Sequence, residues 1–500
     1  MYSMELKYHL IFSKPSFGRK FLMNTERKVF RYENLAKEVE SKIMSGTYHP
    51  GDRLPSIRKL HQQSGLAIST VYKAFVELES TGLVEARPKS GYYVTPFPLK
   101  ELRAPIHEKR SLPPQKVRLS SMINSVVSAI NDPSLLPLGL TVTDSELLPV
   151  KPLSRILKNI SRSKLKSLMS YSLSEGYPEL RRQLALRTLG VIDGVAPEDI
   201  IITNGCTEAV SLSLLALTRP GDTVAAETPT NFTFLQLLKE LGRMVVEVPT
   251  DPRFGVDIGE LEKVLQDHTI KACLLIPNFH NPLGALMPDS RKERLAQLLA
   301  EYEVPAVEDD VSSELYFGEQ RPLPLKAFDR KDLVLTCSSF SKTLAPGLRI
   351  GWVIPGMRYR ERIQNLKAGT TVSTSTLDQY LISELLASGA YERQMRTLRK
   401  TLKKQMVRTA SAIQRHFPPD TRLMLPEGGS LLWVQLRSDI DCLKVHQRAL
   451  AHNIAIIPGV VCSSTGQFTN YIQISCASPF TPAMERGIAT LGQLIHELGK

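Results

Sequence analysis

The sequence predicts two folded units of different class: a small α+β head and a large α/β body built on a mainly parallel sheet. Three observations predict this. The 500 residues exceed a single domain at roughly 100–200 residues each. Residues 1–118 carry 21 Lys and Arg against 11 Asp and Glu, a net +10, whereas the other 382 residues carry only +3. The patterning also changes along the chain. Helical spacing and a short hairpin over 30–95 give way to prolines among basic residues over 96–118. Apolar runs alternating with helical patterns then fill 119–500.

Hydrophobic residues make up 42% and charged residues 23%, the balance of a folded chain, which excludes bulk disorder. No run approaches the ~18 apolar residues of a membrane span. The apolar stretch from Tyr8 to Phe12 is too short for a signal-peptide core, so a cytoplasmic protein without membrane contact is expected. Cys206, Cys273, Cys337, Cys442, Cys462 and Cys476 contain no C-x-x-C pair and fit neither a disulfide framework nor a metal site. Met23-Asn24 reads as an alternative start, which makes residues 1–22 dispensable; 1–29 as a whole is expected to be an N-terminal extension ahead of the head.

In the head, Leu35, Val39, Ile43 and Met44 follow helical spacing up to Gly46. Pro50-Gly51-Asp52 is a turn. Pro55 is expected to open a second helix, where a missing N–H costs nothing, with Ile57 and Leu60 on its apolar face. Ser64-Gly65-Leu66 leads to a third helix from about Ser69 to Thr81, with Val71, Ala74, Phe75 and Leu78 inward and Gly82 at its end. Leu83–Ala86 and Tyr92–Val94 read as strands joined at Lys89-Ser90-Gly91. This is a helix–turn–helix with a β wing. The third helix would enter a major groove with its amino end, presenting Ser69, Thr70, Tyr72 and Lys73. Arg58 on the second helix and Lys89 on the wing would reach phosphates or a minor groove, and Arg53 belongs to the same set. The alternative is a protein-interaction module; the continuous reading of the segment favours double-stranded DNA.

Pro96, Pro98, Pro105, Pro113 and Pro114 predict a semi-extended basic linker over 96–118, because prolines at this density block helix and ladder pairing. Beyond it, four segments carry chemistry. Gly205, Cys206 and Thr207 follow a strand and open a helix, whose free N–H groups make an anion site. Asn281 sits in a strand-end turn, Pro277–Gly284. Asp309 ends the apolar strand before Asp310. Lys342 follows a strand among small hydroxyl residues; with a lowered pKa it can form an imine with an aldehyde cofactor. Ser339, Ser341 and Arg349 beside it can bind a phosphate. Each signal is weak alone. Their shared position at strand ends, where α/β sheets bind ligands, joins them.

Two resemblances follow. Pro50-Gly51-Asp52-Arg53-Leu54-Pro55-Ser56-Ile57-Arg58, Ser69–Ala74 and Leu78–Leu83 resemble the winged-helix head of GntR-type transcription regulators. Ala67 replaces that family's usual Ser or Thr cap, and Ile68 its frequent Arg. The body over 135–500, with Tyr171–Arg181 and Glu427-Gly428-Gly429, resembles fold-type I pyridoxal-phosphate enzymes of the class I aminotransferase group, which implies a smaller C-terminal α+β subdomain. That resemblance implies pyridoxal 5'-phosphate on Lys342, with Asp309 at the pyridine nitrogen and Asn281 at the ring hydroxyl. It puts the phosphate on Gly205, Cys206, Thr207, Ser339, Ser341 and Arg349, and sends Tyr171 to the neighbouring subunit of a homodimer.

Three positions depart from the group. Val311 stands where a Tyr faces the ring oxygen. Asn231 replaces the stacking aromatic, for which a shifted Phe232 is the nearest substitute. Gln473 replaces the Arg that clamps a substrate carboxylate, a charge-assisted contact of about 1.5–3 kcal/mol.

Head, linker and body in this order resemble the MocR subfamily. The resemblance implies a pyridoxal-phosphate-dependent transcription regulator whose body senses a small-molecule effector, an amine, an amino acid or the cofactor itself. The alternative is a working aminotransferase with an appended DNA-binding head, against which Gln473 and Val311 count.

Overall fold

Apolar residues at helical spacing build the head. The computed structural model describes residues 30–45, 47–49, 51–87, 90–95, 102–106, 111–117 and 122–499. Helices α1 (Arg31–Met44), α2 (Ile57–Ser64) and α3 (Ile68–Ser80) enclose Leu35, Val39, Val71, Phe75 and Leu78 against the hairpin of β1 (Val84–Arg87) and β2 (Gly91–Val94). Phe75 stacks on Tyr92 of the wing, ring centroids 4.5 Å apart. The second helix starts two residues later than Pro55 predicts. Ser56 caps it, its hydroxyl accepting the Lys59 N–H at 3.2 Å. Ala67 leaves α3 without a side-chain cap, as its side chain dictates. Expectations for residues 1–29, Gly46, Lys89 and much of the linker lie outside the described residues.

The linker corrects one expectation. Gln115 and Lys116 form β3 (Gln115–Lys116), antiparallel to Val245 and Met244 at the edge of the body's sheet. Pro113 and Pro114 precede the strand, and an edge position tolerates a missing donor there. Farther back, the Ile106 N–H donates to Gln435 Oε1 at 2.8 Å, and the Ile106 carbonyl accepts from the Tyr471 hydroxyl. These linker segments lie against the body.

The sheet is nine-stranded and mostly parallel. Its remaining strands are β4 (Ile201–Thr203), β5 (Thr223–Thr228), β6 (Met244–Asp251), β7 (Gly255–Val256), β8 (Ile270–Leu275), β9 (Ala306–Asp309), β10 (Val334–Ser339) and β11 (Gly351–Ile354). They lie in the order β3-β6-β5-β8-β9-β10-β11-β4, with β7 beside β6. Strands β6, β5, β8, β9 and β10 are parallel. Since β11 opposes β10 and β4 opposes β11, β4 runs with the parallel set. Neighbouring residues of each strand enter different cores: Ala226, Leu274, Val307 and Leu335 one, Ala225, Cys273, Ala306 and Val334 the other. Both faces are covered, which is why these strands read as unbroken apolar runs. The carboxyl ends of β4, β8, β9 and β10 therefore emerge along one edge, carrying Gly205, Asn281, Asp309 and Ser339.

Helix α4 (Cys206–Leu217) leaves β4. A smaller subdomain follows. It comprises α5 (Ala390–His416), β12 (Leu431–Gln435), α6 (Cys442–Ala451), β13 (Ile457–Pro458), β14 (Tyr471–Ser475) and α7 (Pro482–Leu498). Its antiparallel sheet, ordered β12-β14-β13, shares a core of Met406, Ile413, Val434, Ile474 and Leu491 with the helices. The head's α3 packs on α5, where Lys404 Nζ lies 3.0 Å from Glu79.

Candidate functional site

A single pocket gathers Lys342, Asp309 and Asn281, with Thr141, Asn231, Val311 and Ser312 among its other lining residues. Three strand ends and a loop about 200 residues away supply them. Lys342 Nζ donates to the Thr141 carbonyl and to Thr141 Oγ1, both at 2.9 Å. Burial lowers the pKa of this amine, and the Asp309 carboxylate works against that fall. Burial in turn pushes Asp309 up to about 6, opposed by the Val311 N–H at 3.1 Å and the Cys206 thiol at 3.4 Å. A buried carboxylate so placed has more negative charge than its donors relieve. It suits a cationic ring nitrogen.

The Cys206 contact ties the pocket to the start of α4. Gly205 caps that helix at φ 79°, and Arg349 Nη2 donates to the Asn204 carbonyl at 3.0 Å. A Cβ on Gly205 would lie 2.5 Å from that nitrogen, the movable end of a flexible side chain; the left-handed φ is what favours glycine here. Ser339 pairs with Gly351, and Gly351 pairs with Thr203, which brings the hydroxyl end of β10 next to Gly205. The Ser341 N–H donates to Ser339 Oγ at 3.3 Å. The amino end of α4, the end of β10 and the Arg349 guanidinium thus come together, with Glu208 in the same helix turn accepting the Asn204 N–H; none of Gly205, Cys206, Thr207, Ser339, Ser341 and Arg349 is among the residues lining the Lys342 pocket.

Val311 lines the pocket with an aliphatic side chain. Asn231 lines it too, while its side-chain Oδ1 accepts the Thr233 N–H at 3.1 Å and caps the next helix. Phe232 does not substitute for the stacking aromatic: it packs with the cluster around Trp433 and is not among the pocket-lining residues. Gln473 is buried on β14 opposite Trp433. Tyr171 is 86% exposed and outside the pocket of its own chain.

Sequence reasoning missed Thr141, which no motif marks. It also gave no reason for Gly428: a Cβ there would lie 2.4 Å from the Phe279 ring, and both residues line the pocket.

On the head, Arg53, Arg58, Ser69, Tyr72 and Lys73 are exposed and Thr70 is half-buried. Arg53 bridges to Tyr93 at the base of the wing. Exposed cations are what phosphate contact requires, while Ser69, Tyr72 and Lys73 of α3 line a groove against the body.

Residues 138–491 match the family model described as aminotransferase class I and II, and residues 31–94 match that of bacterial regulatory proteins, gntR family. The chain is 38% identical over 467 residues to the HTH-type transcriptional regulator YdcR of Escherichia coli, covering 93% of this chain and 99% of that one. It is 30% identical over 382 residues to 2-aminoadipate transaminase of Thermus thermophilus, covering 76% and 94%. Among solved structures, the kynurenine aminotransferase of Pyrococcus horikoshii superposes with a TM-score of 0.71 at 27% identity, over 77% of this chain and 96% of that one. No helix among the described residues is long and apolar enough to cross a membrane.

Proposed function

Since this chain belongs to the MocR-type transcription regulators, a gntR-family head on a body of the class I and II aminotransferase family, we propose that its pocket takes pyridoxal 5'-phosphate and reports a small-molecule amine to the DNA-binding head. The observation that carries this reading is the convergence of Lys342, Asp309 and Asn281 in one pocket.

The residues fit that cofactor. Lys342 would hold its aldehyde carbon, Asp309 its ring nitrogen and Asn281 its ring oxygen. Gly205, Cys206, Thr207, Ser339, Ser341 and Arg349 would hold the phosphate. Bound there, the cofactor supplies an electrophilic carbon and an electron-withdrawing ring to incoming amines. The protein's part is to keep Lys342 buried, which lowers the pKa of its amine, and to offer the ring nitrogen a carboxylate. Val311 and Gln473 remove two polar contacts from the substrate side, which favours sensing over turnover. A homodimer, with Tyr171 reaching the partner's phosphate site, completes the proposal, as does a cytoplasmic location.

Borohydride reduction with added pyridoxal phosphate, followed by peptide mass mapping, tests it. The reading expects the cofactor fixed to the peptide bearing Lys342 and nothing fixed in Lys342→Ala. An unmodified Lys342 peptide contradicts it.

A further inference from the structure

Ser69, Tyr72, Lys73 and Val76 recur at helical spacing on one stripe of α3, the stripe that carries the base-reading residues. All four line a groove of about 600 Å³ whose other wall is the body: Arg399, Lys400 and Lys403 of α5, with Tyr316–Gly318 behind them. The half exposure of Tyr72 therefore reflects an open groove and not a free face. A major groove about 12 Å wide admits one helix. With α5 alongside its reading stripe, α3 cannot enter one.

From this we propose that α5 and Tyr316–Gly318 form a docking surface for the reading helix, and that the docked head is the DNA-released state of the protein. The proposal rests on the reading that the head binds duplex DNA. Glu79 pairs with Lys404 at 3.0 Å at the far end of α3, and along the groove Lys73 and Glu77 of the head face Arg399, Lys400 and Lys403 of α5. Helix α5 carries eight Lys and Arg and a single acid, Glu392. DNA phosphates compete with such a contact by mass action.

The docking surface is also wired to the pocket. Val311 and Ser312 line the pocket, and Tyr316 and Phe317, four to five residues on, line the groove. Between them the Leu315 carbonyl accepts the N–H of Gly429, another pocket residue, at 3.0 Å, and the Phe317 N–H donates to the Glu427 carbonyl at 2.8 Å. Arg399 grips the same loop from α5, donating to the Glu314 carbonyl at 3.2 Å with its guanidinium 4.2 Å from the Tyr316 ring centre. A ligand that moves Val311–Ser312 moves one wall of the groove.

A charge-swap cycle in the full chain tests this, using a duplex selected by the wild-type protein from a random pool. Lys404→Glu and Glu79→Lys should each raise affinity about two- to five-fold, the size of a partly exposed ion pair, and the double swap should return it toward wild type. Without DNA, amide exchange over 315–318 and 399–404 should quicken in Lys404→Glu. Lower affinity in Lys404→Glu would make α5 a phosphate contact and overturn the proposal, as would unchanged affinity or unchanged exchange. A wild-type protein that selects no duplex would instead strike at the DNA-binding reading, with exchange still deciding the docking.

Discussion

Lys342 Nζ donates twice to Thr141, to its carbonyl and to its hydroxyl, each at 2.9 Å. The contact crosses 201 positions of sequence and parks the amine at the pocket wall. To attach to a cofactor, the amine must leave both oxygens.

Thr141→Val removes one of those acceptors at nearly constant volume. A net hydrogen bond of about 0.5–1.5 kcal/mol no longer opposes attachment, so pyridoxal phosphate should bind roughly two- to ten-fold more tightly. An absorbance titration measures this. Weaker binding would mean that Thr141 positions the amine for the cofactor and does not restrain it.

Asp309 makes a pH-dependent prediction. Its folded pKa of about 6 lies above the ordinary 3.8 because burial disfavours the charged form. The cost to stability is absent below pH 4, grows as pH rises through 6, and is complete above that. Asp309→Asn should therefore stabilise the cofactor-free protein at pH 8 by up to ~3 kcal/mol and hardly at all at pH 4. The same change should weaken cofactor retention. Melting curves at the two pH values, with and without cofactor, check both halves.

Glu314 has the opposite sign. Burial pushes its pKa up, but Arg187 at 2.9 Å and Arg321 at 3.4 Å outweigh burial and hold it down to about 2. Its contribution is present above about pH 4.5 and drains away as pH falls toward 2. Glu314→Gln removes the acid that Arg187 and Arg321 share, leaving Arg187 with Glu392 and Arg321 with Asp310, and should cost about 3 kcal/mol at pH 7. Denaturant unfolding at pH 7 and at pH 3 should show the gap between variant and wild type closing in acid.

Duplex binding by the head should weaken with salt, because neutralised phosphates release counterions. Arg58→Ala and Lys73→Ala should each flatten the slope of log affinity against log salt by about 1. Unchanged slopes in both variants would remove these residues from the DNA face.

Much of this was legible in the sequence, for physical reasons that differ by region. The head's inward residues and the doubly buried strands announce themselves by periodicity: Phe75 and Leu78 by helical spacing, Ala272–Ile276 by an unbroken apolar run. Strand-end chemistry is legible because parallel strands deliver their carboxyl ends to one edge, which brings Asp309, Asn281 and Lys342 together. Thr141 was not, since a lone threonine in a loop has no pattern. Gln115–Lys116 was misread because proline density reports on local freedom and says nothing of an edge strand waiting to pair. Phe232 was misread because being next to Asn231 in sequence turns its side chain to another face. The α3–α5 contact depends on where two distant units come to rest, and no local signal encodes that.

The central claim is that a Lys342-centred pocket and a DNA-binding head act as one device. The most direct test is the affinity of the full chain for its selected duplex, measured with pyridoxal phosphate and a panel of amines, in the wild type and in Lys342→Ala. The account predicts that at least one amine shifts wild-type affinity only when the cofactor is present, and that Lys342→Ala binds the duplex but does not respond. A wild-type affinity indifferent to cofactor and amine, or an equal response in Lys342→Ala, would contradict it.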